Sequence, residues 1–301
     1  MPDISATMVK DLREKSGAAM MDCKKALVEA DGNFDKAFEL LRQKGIASAA
    51  KKQSRATSEG LVVGEVSADG KRGALVEINC ETDFVARNEE FQELAKTLAK
   101  TALESKATSV EELGKAKHGG GTIADLITEK VGKIGENIVL RRVAQVAIDG
   151  AGTVGLYVHA LGGKMGAMVG LQAEKDGNKE ELQSMGRDVA MHVVSAKPQF
   201  ISRDEVPADI VENERRIELG KEDLAKKPAE IREKIVQGRV DKIMSERCLL
   251  DQPFVKDPNQ TVGQLLKSKA AEYGALKPTG YALFILGESE AAPASEGNGH
   301  H

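Results

Sequence analysis

The chain of 301 residues has no tryptophan, and aromatic residues make up only 3% of it. Its three cysteines, Cys23, Cys80 and Cys248, are odd in number, far apart and without metal-ligand spacing. Such sparse cysteine excludes a disulfide scaffold and favours a reducing compartment. Cys23 is expected to fill a small helical core, as free cysteine often does.

Long hydrophobic runs and an excess of one charge are also missing. No apolar run approaches a membrane span, and the N-terminus lacks the charged and apolar regions of a signal peptide. The 43 basic and 47 acidic residues leave a formal charge of −4. This balance gives no overall reason to expect a nucleic-acid or membrane partner. We therefore expect a cytoplasmic protein that binds neither.

Motifs for catalysis and metal binding are absent as well. The sequence has no phosphate-binding loop of the Gly-x4-Gly-Lys-Ser/Thr type, so it does not look like a nucleotide hydrolase. Outside the C-terminal tail the histidines are His118, His159 and His192, which are too scattered for a metal cluster. His192 lies in a helical pattern and is expected to be packed, whereas His159 could equally face a partner. We expect no enzyme activity, cofactor or metal.

Two segments of similar pattern predict a duplicated core. Residues 60–78 predict a β-hairpin that turns at Asp69-Gly70, and residues 152–171 predict a second that turns at Gly162-Gly163. Each is followed by a helical pattern, and each sheet is expected to gain a third strand, from residues 137–143 in the first and 281–286 in the second. The sequence thus predicts an α+β fold whose two subdomains, N and C, have three-stranded antiparallel sheets.

Helices dominate the remainder of the chain. Ser5 and Asn33 are expected to cap the first and third helices of a small N-terminal bundle, similar to a ubiquitin-associated domain, and Gly45 to end the third. A basic, polar tether follows; a nucleic-acid role for it is the less favoured alternative. The predicted organisation, in chain order, is the bundle at 1–46, a linker at 47–59, subdomain N at 60–148, the first part of subdomain C at 149–202, a helical hairpin at 203–247, the rest of subdomain C with a C-terminal module at 248–287, and a disordered tail at 288–301.

The helical hairpin at 203–247 differs in character from the core. It is highly charged, and Pro228 suits the first turn of its return helix. That helix carries an apolar stripe formed by Ile231, Ile235, Val236, Val240 and Ile243. Either a second copy of the chain covers this stripe, which favours a homodimer, or the stripe packs on the protein's own core.

The most informative segment is Asn79–Phe91, which connects a strand-like run to a helix capped by Asn88. Asp83 and Phe84 fall in this connection, where side chains tend to face solvent. An exposed phenylalanine beside an aspartate suits contact with a partner. The alternative is that Phe84 tucks under the loop as part of the core.

The run Thr82–Phe91, TDFVARNEEF, resembles a signature of the elongation factor Ts family, the guanine-nucleotide exchange factors for elongation factor Tu. Three further segments resemble that family and occur in its order. They lie at residues 17–27, 133–138 and 261–267. The four are spread over nearly the whole chain, up to about Gly287.

The resemblance implies a site. Asp83 and Phe84, flanked by Thr82 and Val85, match the pair that wedges near the magnesium and switch region of elongation factor Tu; the magnesium and GDP belong to that partner. Other matched positions contact its GTP-binding domain or, for one histidine, its domain 3. These positions are Lys24, Ile134, Gly135, His159, Leu265 and Leu266.

Such a protein needs no catalytic residue. It has to bind the nucleotide-free GTPase more tightly than the nucleotide-bound form, and by linkage the nucleotide weakens its binding by the same ratio. The alternative function is a non-catalytic adaptor that binds ubiquitin-like or ribosomal partners through the three-helix bundle. Release of GDP from elongation factor Tu by catalytic amounts of the protein separates the two.

Overall fold

The computed structural model describes residues 4–16, 18, 20–160 and 162–288. The predicted tail lies almost wholly outside this range. The N-terminal bundle consists of α1 (Ala6–Ser16), α2 (Met20–Glu29) and the start of α3 (Phe34–Lys52). As predicted, Ser5 Oγ accepts from the Met8 N–H at 3.2 Å, and Asn33 Oδ1 accepts from the Lys36 N–H at 2.9 Å. Cys23 is fully buried in the small core of the bundle.

The prediction that the third helix ends at Gly45 is wrong. Helix α3 runs through Gly45 to Lys52, so part of the predicted linker is helical. The reason is tertiary packing: α3 lies along a helix of subdomain N, and a Cβ placed on Gly132 of that helix would be 3.4 Å from the Gly45 Cα. Close packing between helices outweighs the low helix propensity of glycine.

Subdomain N is a three-stranded antiparallel sheet with helices on one face. Its strand order is β1-β2-β5, in which β5 is the predicted third strand, and the hairpin turns at Asp69-Gly70 as predicted, with Gly70 at φ +73°. In chain order its elements are β1 (Glu59–Val66), β2 (Arg72–Cys80), α4 (Asp83–Ala86), α5 (Glu89–Ser105), α6 (Val110–Lys115), β3 (Lys117–His118), β4 (Gly121–Thr122), α7 (Ile123–Ile134) and β5 (Ile138–Ala147).

Subdomain C repeats this arrangement. Its sheet has the order β10-β7-β6, in which a hairpin again gains its third strand from later in the chain. The elements are β6 (Gly152–Val158), β7 (Met165–Ala173), α8 (Lys179–Ala196), then the hairpin helices α9 (Ala208–Leu219) and α10 (Ala229–Arg247), and finally β8 (Pro253–Phe254), β9 (Asp257–Thr261), α11 (Val262–Ser268), α12 (Ala270–Tyr273) and β10 (Leu276–Ile285). The α+β fold is confirmed.

The two sheets stack face to face between layers of helix. Along β2, Ala74, Val76 and Ile78 pack with α5, whereas Leu75, on the opposite face, packs against the second sheet. Strand β7 behaves the same way, because Met168 joins Leu75 while its neighbours pack on α8. This follows from the two-residue period of a strand. The core is therefore layered as helix, sheet, sheet, helix.

The helical hairpin has a core of its own. Val236 and Val240 of α10 are buried with Leu224 and Met244. Much of the predicted stripe therefore needs no second chain to cover it. Ile231 is half exposed. Pro228 lies just before α10, at the N-cap position, rather than in its first turn.

Within the described ranges, none of the helices combines the length and apolar character of a membrane span. His192 is buried and pairs with Gln252 at 2.9 Å between Nε2 and Oε1, so its predicted structural role is confirmed.

Candidate functional site

Phe84 projects from a short helix at the end of β2. Its side chain is 80% exposed, so the alternative that it belongs to the core is wrong. Asp83 and Phe84 are also not in an irregular connection, because they begin α4. Thr82 caps that helix, and its hydroxyl accepts from the Val85 N–H at 3.4 Å. Val85 and Ala86 pack on the core of subdomain N, which leaves Phe84 pointing outward.

The carboxylate of Glu136 holds this turn from the opposite side. One oxygen, Oε2, accepts from the backbone N–H groups of Glu81 and Thr82, with N···O distances of 3.1 and 3.0 Å. The other, Oε1, accepts from the Thr82 hydroxyl at 2.7 Å. Thr82 therefore caps α4 while it is itself held by a residue that follows α7.

Glu81 makes the reverse connection. Its Oε1 accepts from the backbone N–H of Asn137 at 2.6 Å and lies 3.4 Å from Arg55 Nη1. The Asn137 side chain donates in turn to the carbonyl oxygens of Gln53 and Arg55, at 3.3 and 2.9 Å. The segment that leaves α3 is thus tied to the same place. Sequence reasoning missed these roles of Glu81, Glu136 and Asn137, although all three lie in or beside segments that resemble the family.

The hydrogen bonds of Glu136 and Asn137 to Glu81 and Thr82 form a clamp between two chain segments. Ile134 and Gly135 lie directly before it. Gly135 ends α7 in the left-handed region at φ +90°, and a Cβ placed on it would meet nothing within 4 Å. Its open side offers close access to the backbone. Glu90 of α5 steadies α7 through Lys130 and Lys133, each with an N···O distance of 2.6 Å. The structure therefore joins the 82–85 and 134–135 segments into one surface.

The residues at this surface suit contact with a partner and not covalent chemistry. Burial raises the pKa of the Cys80 thiol to about 12, so it is a poor nucleophile, and its Sγ donates to the Thr82 carbonyl at 3.2 Å. Asp83 Oδ2 pairs with Arg87 Nη2 at 3.0 Å and leaves the phenylalanine beside it unobstructed. No group of three or more potential metal ligands occurs among the residues that the structure describes.

The remaining predicted contacts lie on other elements. Lys24 is exposed on α2 beside Met20, Met21 and Val28, which are 47%, 62% and 48% exposed. A group of three outward-facing apolar side chains on a small helical bundle suits docking. The adjacent motif positions Gly17 and Ala19 lie outside the described residues.

His159 and Leu265 are only partly exposed, and Leu266 is not available. The Tyr157 hydroxyl and His159 Nδ1 are 2.9 Å apart at the end of β6. Leu266 is 2% exposed in the core of subdomain C, so the prediction that its side chain contacts a partner is wrong. A helix as short as α11 does not show from sequence which of two adjacent leucines faces inward.

The duplicated α+β core presents an exposed phenylalanine on a capped turn, and a small helical bundle is tied beside it. These features suit the class of proteins that act by binding another protein. The family model described as elongation factor TS matches residues 81–288, more than half of the chain. The chain belongs to the elongation factor Ts family. Members of this family are guanine-nucleotide exchange factors of translation elongation.

Individual relatives extend this similarity across the chain. Elongation factor Ts of Nostoc punctiforme is 43% identical over 297 residues, which cover 96% of this chain and 94% of the relative. That of Halorhodospira halophila is 45% identical and covers 95% and 93%. That of Syntrophotalea carbinolica is 46% identical and covers 95% and 93%.

Proposed function

We propose that this protein binds elongation factor Tu in its GDP form in the cytoplasm and promotes release of GDP. Phe84 and Asp83 wedge near the magnesium and switch region of the GTPase, and the complex holds the nucleotide-free form until GTP binds. The observation that carries this proposal is the exposure of Phe84 on a turn fixed at both ends. No covalent step or cofactor of this chain is required.

The energetic requirement is a difference in affinity between two states of the partner. A ligand that moves a two-state equilibrium from 1:99 to 99:1 has to favour one state by about 5.5 kcal/mol. Several surfaces can supply that difference together. We propose that Phe84, Asp83, Ile134 and the open side of Gly135 form the wedge. Lys24, His159 and Leu265 then add docking contacts outside it.

Replacing Phe84 with alanine tests this proposal. We expect Phe84→Ala to reduce exchange about thirtyfold, because a buried aromatic anchor of an interface is worth about 2 kcal/mol or more. The melting temperature should hardly change, since the ring contributes little to the fold. The measurement is release of mant-GDP from elongation factor Tu at catalytic amounts of each variant.

Val255→Ala is the matched control, because Val255 is an exposed apolar residue (41%) in the β8–β9 connection. It should exchange like wild type. A Phe84→Ala protein that melts many degrees earlier, or that exchanges at the wild-type rate, would contradict the wedge.

We further propose that residues 203–247 mediate a homodimer. Because the hairpin buries its own core, the apolar surface that supports a homodimer is smaller than the sequence pattern predicts. It consists of Ile217 and Ile231, each 50% exposed, near the end of the hairpin that carries the turn. A self-complementary contact there would be isologous.

A further inference from the structure

The orientation of Phe84 needs an explanation, because nothing packs around most of its ring. Helix α4 has only four residues, and so short a helix has no stability of its own. Its first turn depends on the cap from Thr82. Packing of Val85 and Ala86 fixes the inward side of this turn, and whatever holds Thr82 fixes its start, so the two together set the direction in which Phe84 projects.

Thr82 is held mainly by Glu136. The three hydrogen bonds to that carboxylate include both backbone N–H groups that lead into α4. Hydrogen bonds to an ionised acceptor are about twice as strong as neutral ones. Glu81 accepts from the Asn137 N–H in the opposite direction, so the two chain segments are linked twice.

This crossed arrangement also contains the residues next to Gly135. Glu136 follows it directly, so the carboxylate that holds Thr82 extends from the same backbone that ends α7. Movement of the 134–135 segment relative to the 82–84 segment would break all three hydrogen bonds. The two parts of the proposed wedge consequently keep one fixed spacing.

We propose that Glu136 is a positioning residue for nucleotide exchange, which it serves by holding the Thr82 cap and hence the direction of Phe84. This inference rests on the proposed function. Without the clamp, the bundle and subdomain C still dock, but Phe84 no longer projects in a fixed direction. A displacement of about 1 Å in a positioned group can cost up to about a hundredfold in rate. The loss should therefore appear in the maximal release rate and not in binding.

Three substitutions at Glu136 separate geometry from charge. Glu136→Ala removes the acceptor, and Glu136→Asp shortens it by one methylene. Glu136→Gln keeps an oxygen for the two N–H groups, and its amide can donate to the Thr82 hydroxyl. Glu129→Ala, at an exposed position of α7, is the control.

The rate of mant-GDP release from elongation factor Tu is measured against the concentration of each variant. We expect the maximal rate to fall about tenfold or more for the alanine and aspartate variants, and the half-maximal concentration to change less than about twofold. The glutamine variant and the control should remain within about threefold of wild type. If glutamine is as slow as alanine, or if all variants match wild type, the proposal is overturned.

Amide hydrogen exchange in the free protein gives a second readout that does not depend on activity. The N–H groups of Glu81 and Thr82 should exchange faster in Glu136→Ala, while the strands of subdomain N stay protected. Faster exchange throughout the subdomain would show a merely structural role and overturn the proposal. If wild type itself releases no GDP, the proposed function fails, and unchanged protection at Glu81 and Thr82 would separately disprove the clamp.

Discussion

At the residue scale, the site depends on neighbours that are distant in the chain. The place of Phe84 between a strand and a helix left open whether its side chain is exposed or packed under the loop. With the resemblance of the local run Thr82–Phe91 to the family, its exposure could be predicted. The partner of Thr82 could not, since Glu136 lies 54 positions away. Carboxylates are common in this chain, and a single sequence does not show which of them accepts from a given backbone N–H.

Glu90 provides a pH-dependent test at this scale. Burial would raise its pKa, but hydrogen bonds from Lys130 and Lys133 outweigh burial and lower it from the ordinary value of 4.5. Its stabilisation is therefore complete above about pH 4.5 and is lost as the pH falls through the folded-state pKa.

We expect Glu90→Gln to lower the free energy of unfolding by about 1 to 2 kcal/mol near neutral pH. The difference from wild type should shrink in acid. Urea unfolding from neutral to acid pH measures this difference. Glu89→Gln, which changes the exposed neighbouring residue, is the control. A difference that is constant with pH would show that the carboxylate charge is not the cause.

At the element scale, local chemistry again decides what could be predicted. Asp69-Gly70 marks its hairpin turn because the turn itself needs a positive φ. The helix end predicted at Gly45 is wrong for the opposite reason. A glycine after an amphipathic run is typical of a helix end, but α3 continues past Gly45 because it packs against Gly132. Leu266 is buried through contacts of subdomain C that no seven-residue pattern contains.

The helical hairpin can be removed as a unit. Main-chain hydrogen bonds close its base, from Gln199 N to Arg247 O at 2.8 Å and from Leu249 N to Phe200 O at 2.9 Å. Its two ends are therefore close together, and a short Gly/Ser link can replace residues 203–247. We expect this deletion to abolish self-association, to leave both subdomains folded and to preserve much of the exchange activity.

Sedimentation of the free protein measures the outcome. Ile217→Ser with Ile231→Ser is the finer variant, because both side chains are half exposed and their loss should leave the hairpin core intact. If the deleted and full-length proteins both sediment as monomers, or both as dimers, the hairpin is not the dimer element.

At the scale of the whole molecule, Arg142 joins the two sheets through contacts that extend from a buried ion pair within the first sheet. Arg142 of β5 pairs with Glu77 of β2, stacks 4.4 Å from the centroid of the Phe284 ring and donates to the Ile285 carbonyl at 2.9 Å. Both of the last two belong to β10 of the other sheet. Sequence patterns suggest that two sheets exist, but the contact between them depends on residues more than 140 positions apart.

We expect Arg142→Met to destabilise the protein by about 3 to 5 kcal/mol, because it leaves Glu77 charged, buried and unpaired. The double variant Glu77→Gln, Arg142→Met should recover part of that loss. Urea unfolding followed in each subdomain is the measurement. A single variant as stable as wild type, or a double variant no better than the single, would contradict a linking role for the pair.

Helix α3 is unbroken from the bundle to its crossing with α7. The orientation of the bundle about the α3 axis is therefore fixed relative to subdomain N. Each residue of an α-helix advances about 1.5 Å and turns about 100°. One residue inserted between Leu41 and Gly45 would therefore swing Lys24 about the α3 axis by that angle relative to Phe84, while both parts remain folded. The number of residues in this segment therefore sets the angle between the two exposed surfaces.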